Sequence, residues 1–263
     1  MTALQHLDNK TTKAMKRIVS RIGLVCLIIA SLLVLDSCST SKKATTTKGD
    51  ANVTANAPDY KQIKKEINTK NSEFYYPELL RRFEAADTTL TVEHMYYFYY
   101  GTATRPDYNP YKTSNYDALH KAIEKETPEK EDWEKAAQAI DDQLKTDPTN
   151  IRFHLYKQIV YENLYGSESE KTLEAYNQVI MLLSAVRATG DGRSKETAFH
   201  VISVVDEYGI MDVFGLSLKM QSLVEDKGQS YDVMELEENK YGLESMYFNI
   251  TVGMEAVNKL FGF

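Results

Sequence analysis

Only two cysteines occur in the 263 residues, Cys26 and Cys38, and both lie near the N-terminus. The chain beyond residue 38 therefore cannot build a disulfide, a thiolate zinc site or a cysteine nucleophile. No apolar run is longer than the fourteen residues from Ile22 to Leu35, whereas a helix crossing a bilayer needs about 20. A basic excess is missing too: the net charge is −7. Five of the 31 basic and two of the 38 acidic residues precede Cys38, which leaves the remainder at −10. Such an acidic body argues against nucleic acid and against docking of the body on anionic lipid. Histidine is sparse, and His94, His120, His154 and His200 are never spaced i, i+2 or i, i+4, nor is there a His-Glu-x-x-His. Neither a metal nor a cofactor is expected.

What is present begins with an address. Lys16, Arg17 and Arg21 precede the apolar run, which ends at Leu35-Asp36-Ser37-Cys38. Basic, apolar and small residues in that order form a secretory signal peptide, residues 1–37, with translation expected to start at Met15. Leu35-x-Ser37-Cys38 looks like a bacterial lipobox, with Asp36 standing where a small residue is usual. Cys38 would then carry thioether- and amide-linked acyl chains of the palmitate type; two or three such chains give lasting membrane attachment where one is marginal. Residues 38–57 form the lipidated tether, and its Ser-, Thr-, Lys- and Asn-rich stretch from Ser39 spans on the order of 25 Å as a flexible leash. Ser39-Thr40-Ser41-Lys42-Lys43 lacks the acidic cluster that resembles a surface-export tag. The expected location is the outer membrane, facing the periplasm.

From Pro58 the pattern is helical. Asn56 is placed to cap a first helix bearing Ile63 and Ile67, and Tyr76-Pro77-Glu78 opens a second with Leu79, Leu80 and Phe83. Thr91 caps a third, with Leu90 and Met95 as its staple. Thr127-Pro128 predicts the start of a helix whose Trp133, Ala136, Ala137, Ile140 and Leu144 share a face. Asp147-Pro148 breaks it before a helix carrying Phe153, Tyr156, Ile159, Val160 and Leu164. Ser167-x-x-Glu170 predicts a third of this group, with Leu173, Tyr176, Ile180 and Leu183 on one side. Helix, Asp-Pro turn, helix is weakly similar to tetratricopeptide repeats, but no 34-residue period recurs. After Gly190 the period becomes 2: a β-rich run over 198–205, a short helix over 206–216, and strands over 218–225, 231–237 and 245–252. Met246, Phe248 and Ile250 should face inward. The expected fold class is α+β, an irregular antiparallel helical-hairpin stack over 58–190 followed by a small, mostly antiparallel β-sheet unit over 191–263.

Gly190-Asp191-Gly192-Arg193-Ser194 through His200 to Asp206-Glu207-Tyr208, with Tyr247-Phe248-Asn249-Ile250 later, resembles domain of unknown function 4919. The resemblance runs from about Tyr75 to Thr251. That family consists of short lipoproteins of gut-type Gram-negative bacteria. It implies an envelope location and supplies no activity.

Three constellations invite a chemical reading. Ser194, His200 and Asp206 have the residue types of a hydrolase triad, but six residues of strand span about 20 Å, and there is no Gly-x-Ser-x-Gly elbow. Asp206-Glu207 sits where a strand gives way to a helix; it is either a site carboxylate pair or an N-terminal cap with an acidic first turn. Gly190, Asp191, Gly192 and Ser194 allow an anion-binding nest or, without a ligand, a helix C-cap and turn. Aromatics stand out most: eighteen tyrosines, among them Tyr96, Tyr97, Tyr99 and Tyr100 around Phe98, with Tyr108 and Tyr111 close by. A helix aromatic all round must place some rings against a second element or a partner, protein or glycan. The leading expectation is a non-enzymatic accessory that binds another envelope protein, with these tyrosines as the contact surface. An envelope hydrolase using Asp206 or Glu207, and a glycan-binding module using the tyrosines, are the alternatives.

Overall fold

The computed structural model describes residues 57–112 and 116–262. The leader, Cys38, the tether up to residue 56 and the expected cap Asn56 lie outside the described residues. Asp59 caps the first helix instead: its Oδ1 accepts from Lys61 N and Gln62 N at 3.0 Å each. It opens α1 (Tyr60–Ile67), which buries Ile63 and Ile67. Pro77 sits in the first turn of α2 (Tyr76–Glu84), where a missing N–H does no harm. Thr91 caps α3 (Val92–Thr102) by accepting from His94 N, and His94 Nδ1 accepts from Thr91 N in return.

A helix that the apolar spacing did not announce, α4 (Asp117–Glu124), comes next; of its residues Leu119 and Ala122 are fully buried, too few to set a period. α5 (Lys130–Thr146) starts later than Thr127-Pro128 suggests, with Glu129 and Asp132 forming its capping box. Its buried Trp133, Ala136, Ile140 and Leu144 are those the spacing selects. Asn150 opens α6 (Ile151–Tyr165) by accepting from Phe153 N at 3.0 Å. Ser169, not Ser167, caps α7 (Glu170–Arg187). The buried side of α7 matches the expected one only in part: Leu183 is buried, but Leu173 is 50% exposed and Tyr176 and Ile180 are half-buried, while Ala175, Val179, Leu182 and Ala185 are buried. α7 packs against both α6 and α3, and the two alanines let backbones approach on that side.

Of the expected 198–205 strand only β1 (Phe199–His200) forms. Ser203 Oγ accepts from Val205 N at 3.3 Å and starts α8 (Val204–Phe214), so a local cap overrides the strand preference of two valines. β2 (Leu218–Asp226) and β3 (Gln229–Leu236) are joined through Lys227 and Gly228, whose φ values of 52° and 75° suit a two-residue hairpin. β4 (Ser245–Asn249) stops short of Val252 because α9 (Thr251–Phe261) begins there. The sheet runs β1-β4-β3-β2. Pairs β2–β3 and β3–β4 are antiparallel and β1–β4 is parallel, so the sheet of this α+β fold is mixed.

A single buried cluster extends from Ile63 to Ile250 and crosses residue 190 without a break. α3 lies near its centre, against α1, α2 and α7. That position explains its composition: from Met95 to Gly101 every residue but the half-buried Tyr96 is buried, and a helix covered so widely has no polar face. Among the described residues no helix is long and apolar enough to cross a membrane.

Candidate functional site

Phe98, Tyr99 and Tyr100 are 0% exposed and Tyr97 is 8% exposed; Tyr96 and Tyr108 are half-buried. Of the six tyrosines expected to meet a partner, only Tyr111, 54% exposed, stands out from the surface. The aromatic run is thus an internal anchor and not a docking face, a correction that follows from the central place of α3. Its hydroxyls hold the segment that joins β1 to α8. Tyr100 Oη donates to the His200 carbonyl at 2.9 Å, and Tyr108 Oη donates to the Ile202 carbonyl at 2.5 Å. Tyr99 Oη accepts from Ile202 N at 3.3 Å and donates to Asp206 Oδ2 at 2.7 Å.

Asp206 is 1% exposed. Its Oδ1 accepts from Ile151 N, the first amide of α6, at 2.9 Å. The residue does serve a helix N-terminus, though not its own: Ser203 caps α8, and Asp206 satisfies an orphan donor of a helix 55 positions away. Burial pushes its carboxyl up to about 8, against the pull of the Ile151 and Tyr99 donors and with a further push from Asp147. Asp147 is itself raised, again by burial.

Glu207 is 0% exposed and meets Asp232 on the inner face of β3. Burial raises both carboxyls, Glu207 well above its usual range, and their mutual repulsion adds to the rise in Glu207. As two carboxylates they would offer acceptors only, and Glu207 finds no donor among the described residues. One proton shared between them removes that conflict, with Glu207 as donor. Asp232 Oδ2 also accepts from Gln221 Nε2 at 2.7 Å, and Gln221 Oε1 accepts from Tyr208 Oη at 2.8 Å. Asp206 and Glu207, neighbours in sequence, therefore tie α8 to α6 and to the sheet respectively. Asp232 was legible in principle, since it lies among Ser230, Met234 and Leu236 at the parity that faces the core.

The glycine-rich segment is a turn. Asp191 N and Gly192 N donate to the Thr197 carbonyl at 3.0 and 2.8 Å, so the amides of the supposed nest are already engaged within the chain. A Cβ on Gly190 would come within 2.1 Å of that carbonyl oxygen. Ser194 Oγ faces Thr197 Oγ1 at 3.2 Å, and partial burial holds the half-buried His200 imidazole down to about 4. Asp206 is engaged by Ile151 and Tyr99, which leaves no catalytic relay through His200.

Against Asp206 opens a polar cleft of about 120 Å³ between residues 105–112, the 145–150 turn and Ser203. Arg105 lies over the Tyr76 ring at 4.5 Å and pairs with Asp107 at 3.2 Å. Lys112 Nζ donates to the Thr146 carbonyl at the end of α5. Among the described residues no three His, Asp or Glu side chains are grouped to hold a metal.

Residues 61–259 match the family described as Domain of unknown function (DUF4919). The chain belongs to this family. The match spans α1 to α9 and so takes in the helical stack, the sheet and the cleft of this DUF4919 domain together. No curated protein and no solved structure matches the chain.

Proposed function

We propose that this DUF4919 protein is a lipid-anchored accessory of the cell envelope, held at Cys38 on the periplasmic side of the outer membrane. Its body binds another envelope protein through the polar cleft and performs no catalysis. The observation that carries this reading is the cleft itself, where Arg105, Asp107, Asn109 and Lys112 line an opening of about 120 Å³ on the protein surface. Mixed charges and hydrogen-bonding groups on a connecting loop suit a polar protein contact. The hydrolase reading loses support because Glu207 is sealed, and Asp206, at the floor of the cleft, is 1% exposed with both oxygens engaged by Ile151 and Tyr99. The glycan reading loses its platform with the burial of Tyr99 and Tyr100.

A photo-crosslinking amino acid placed at Asn109 on the cleft, and in a parallel strain at Lys227 on the β2–β3 turn, tests the proposal in cells. One or two envelope proteins captured from Asn109 alone, and lost in Cys38→Ala, are expected. Capture that is equal from both positions, or absent from Asn109, would refute the cleft as the contact. Failure of Cys38 to take up a labelled acyl chain would refute the anchor.

A further inference from the structure

A second opening has the opposite chemistry. The C-terminal half of α7, β1, α8 and the first residue of α3 line a slot of about 340 Å³. Most of its apolar walls, Leu183, Val186, Phe199, Ile210 and Phe214, are each 9% exposed or less, while Ile180 is half-buried and Val92 is 43% exposed. These side chains are recessed, so the feature is a crevice and not a flat apolar face. Its volume falls within the roughly 300–1,000 Å³ range of small-molecule sites. Ser184 also lines it, but Ser184 Oγ already donates to the Met181 carbonyl at 2.6 Å. One charged group remains: Arg187, exposed on the last turn of α7, lines the slot and forms no ion pair with a described residue.

We propose that this slot binds a free fatty acid, with the acyl chain between α7 and α8 and the carboxylate against the Arg187 guanidinium. The match is one of charge and shape. An apolar crevice with a single cation among its lining groups complements a molecule that is apolar along its length and anionic at one end. Burial of the methylenes drives entry, and a guanidinium–carboxylate contact fixes the orientation bidentately. A peptide helix needs a broad groove with exposed walls, which these recessed side chains do not offer. The site is separate from the polar cleft and does not depend on it.

Displacement of a fluorescent polyene fatty acid from the full-length lipidated chain, and from Cys38→Ala, tests the proposal, with palmitate and hexadecanol as competitors. Saturable binding at one site is expected in both forms, with palmitate about tenfold stronger than the alcohol. Arg187→Gln, a change on an exposed residue, should weaken palmitate about tenfold and leave hexadecanol unchanged. Ser184→Phe, which fills the slot from its wall, should abolish both. Absence of saturable binding would overturn the proposal, as would equal affinity for acid and alcohol, or indifference to Arg187→Gln. Binding by Cys38→Ala alone would also overturn it, because the chain's own acyl groups would then be the occupant.

Discussion

Replacing Asp206 by asparagine should alter the pH dependence of stability more than its magnitude at any one pH. In the unfolded chain the carboxyl titrates near 3.8, and in the fold burial holds it up at about 8. A group raised on folding contributes fully below its unfolded value, and that contribution is lost as pH climbs through the folded value. The native protein should therefore lose stability between about pH 4 and pH 8. At roughly 1.4 kcal/mol per unit, the interval corresponds to on the order of 5 kcal/mol. Asparagine keeps the acceptor for Ile151 N but turns an amide toward Tyr99 Oη, where the native oxygen accepts at 2.7 Å. That clash adds a destabilisation that is constant with pH. Urea unfolding of both proteins from pH 4.5 to pH 8.5 separates the two effects, because the causes that shift Asp232, His154 and His200 do not include Asp206, and its push on Glu207 is the smallest of the causes acting there. Asp206→Asn should be the less stable protein at pH 4.5 and should gain steadily on the native chain as pH rises. A difference that stays flat across the range would refute the reasoning. It would mean that the Ile151 and Tyr99 donors outweigh burial and hold Asp206 ionised throughout.

Three further outcomes are expected. Tyr99→Phe removes the donor to Asp206 and the acceptor for Ile202 N in a fully buried place, and chemical denaturation should read a loss of roughly 1–3 kcal/mol. Glu207→Gln supplies a permanent donor to Asp232; since burial raises the Glu207 carboxyl on folding, the variant should gain on the native protein as pH rises above 4.5, the ordinary value of a glutamate carboxyl. Gly190→Ala should cost about 3 kcal/mol or more, or prevent folding, because its Cβ would meet backbone at 2.1 Å; an unchanged thermal midpoint would contradict the turn geometry.

Local patterns in the sequence determined the class of the fold. The face of α5, the Asp147-Pro148 break, the β2–β3 hairpin and the inward set Met246, Phe248 and Ile250 follow from side-chain periodicity and turn chemistry, which act within a few residues. Helix starts were less legible: Asp59 and Ser169 cap where Asn56 and Ser167 were equally qualified by type, and Glu129 opens α5 although Thr127 is the better cap by type. Family membership was legible too, because it rests on a pattern of residues and not on contacts. What those residues do was decided only by the tertiary structure. A tyrosine suits an interface and a core alike, and only the placement of α3 among α1, α2 and α7 sealed Tyr99 and Tyr100 inside. Asp206 looked like a cap for its own helix, yet it completes one 55 positions away. Glu207 acquired its character from Asp232, and the fatty-acid slot exists only where α3, α7, β1 and α8 converge. Hydrogen bonds and burial between distant segments have no period along the chain, so one-dimensional patterning cannot announce them.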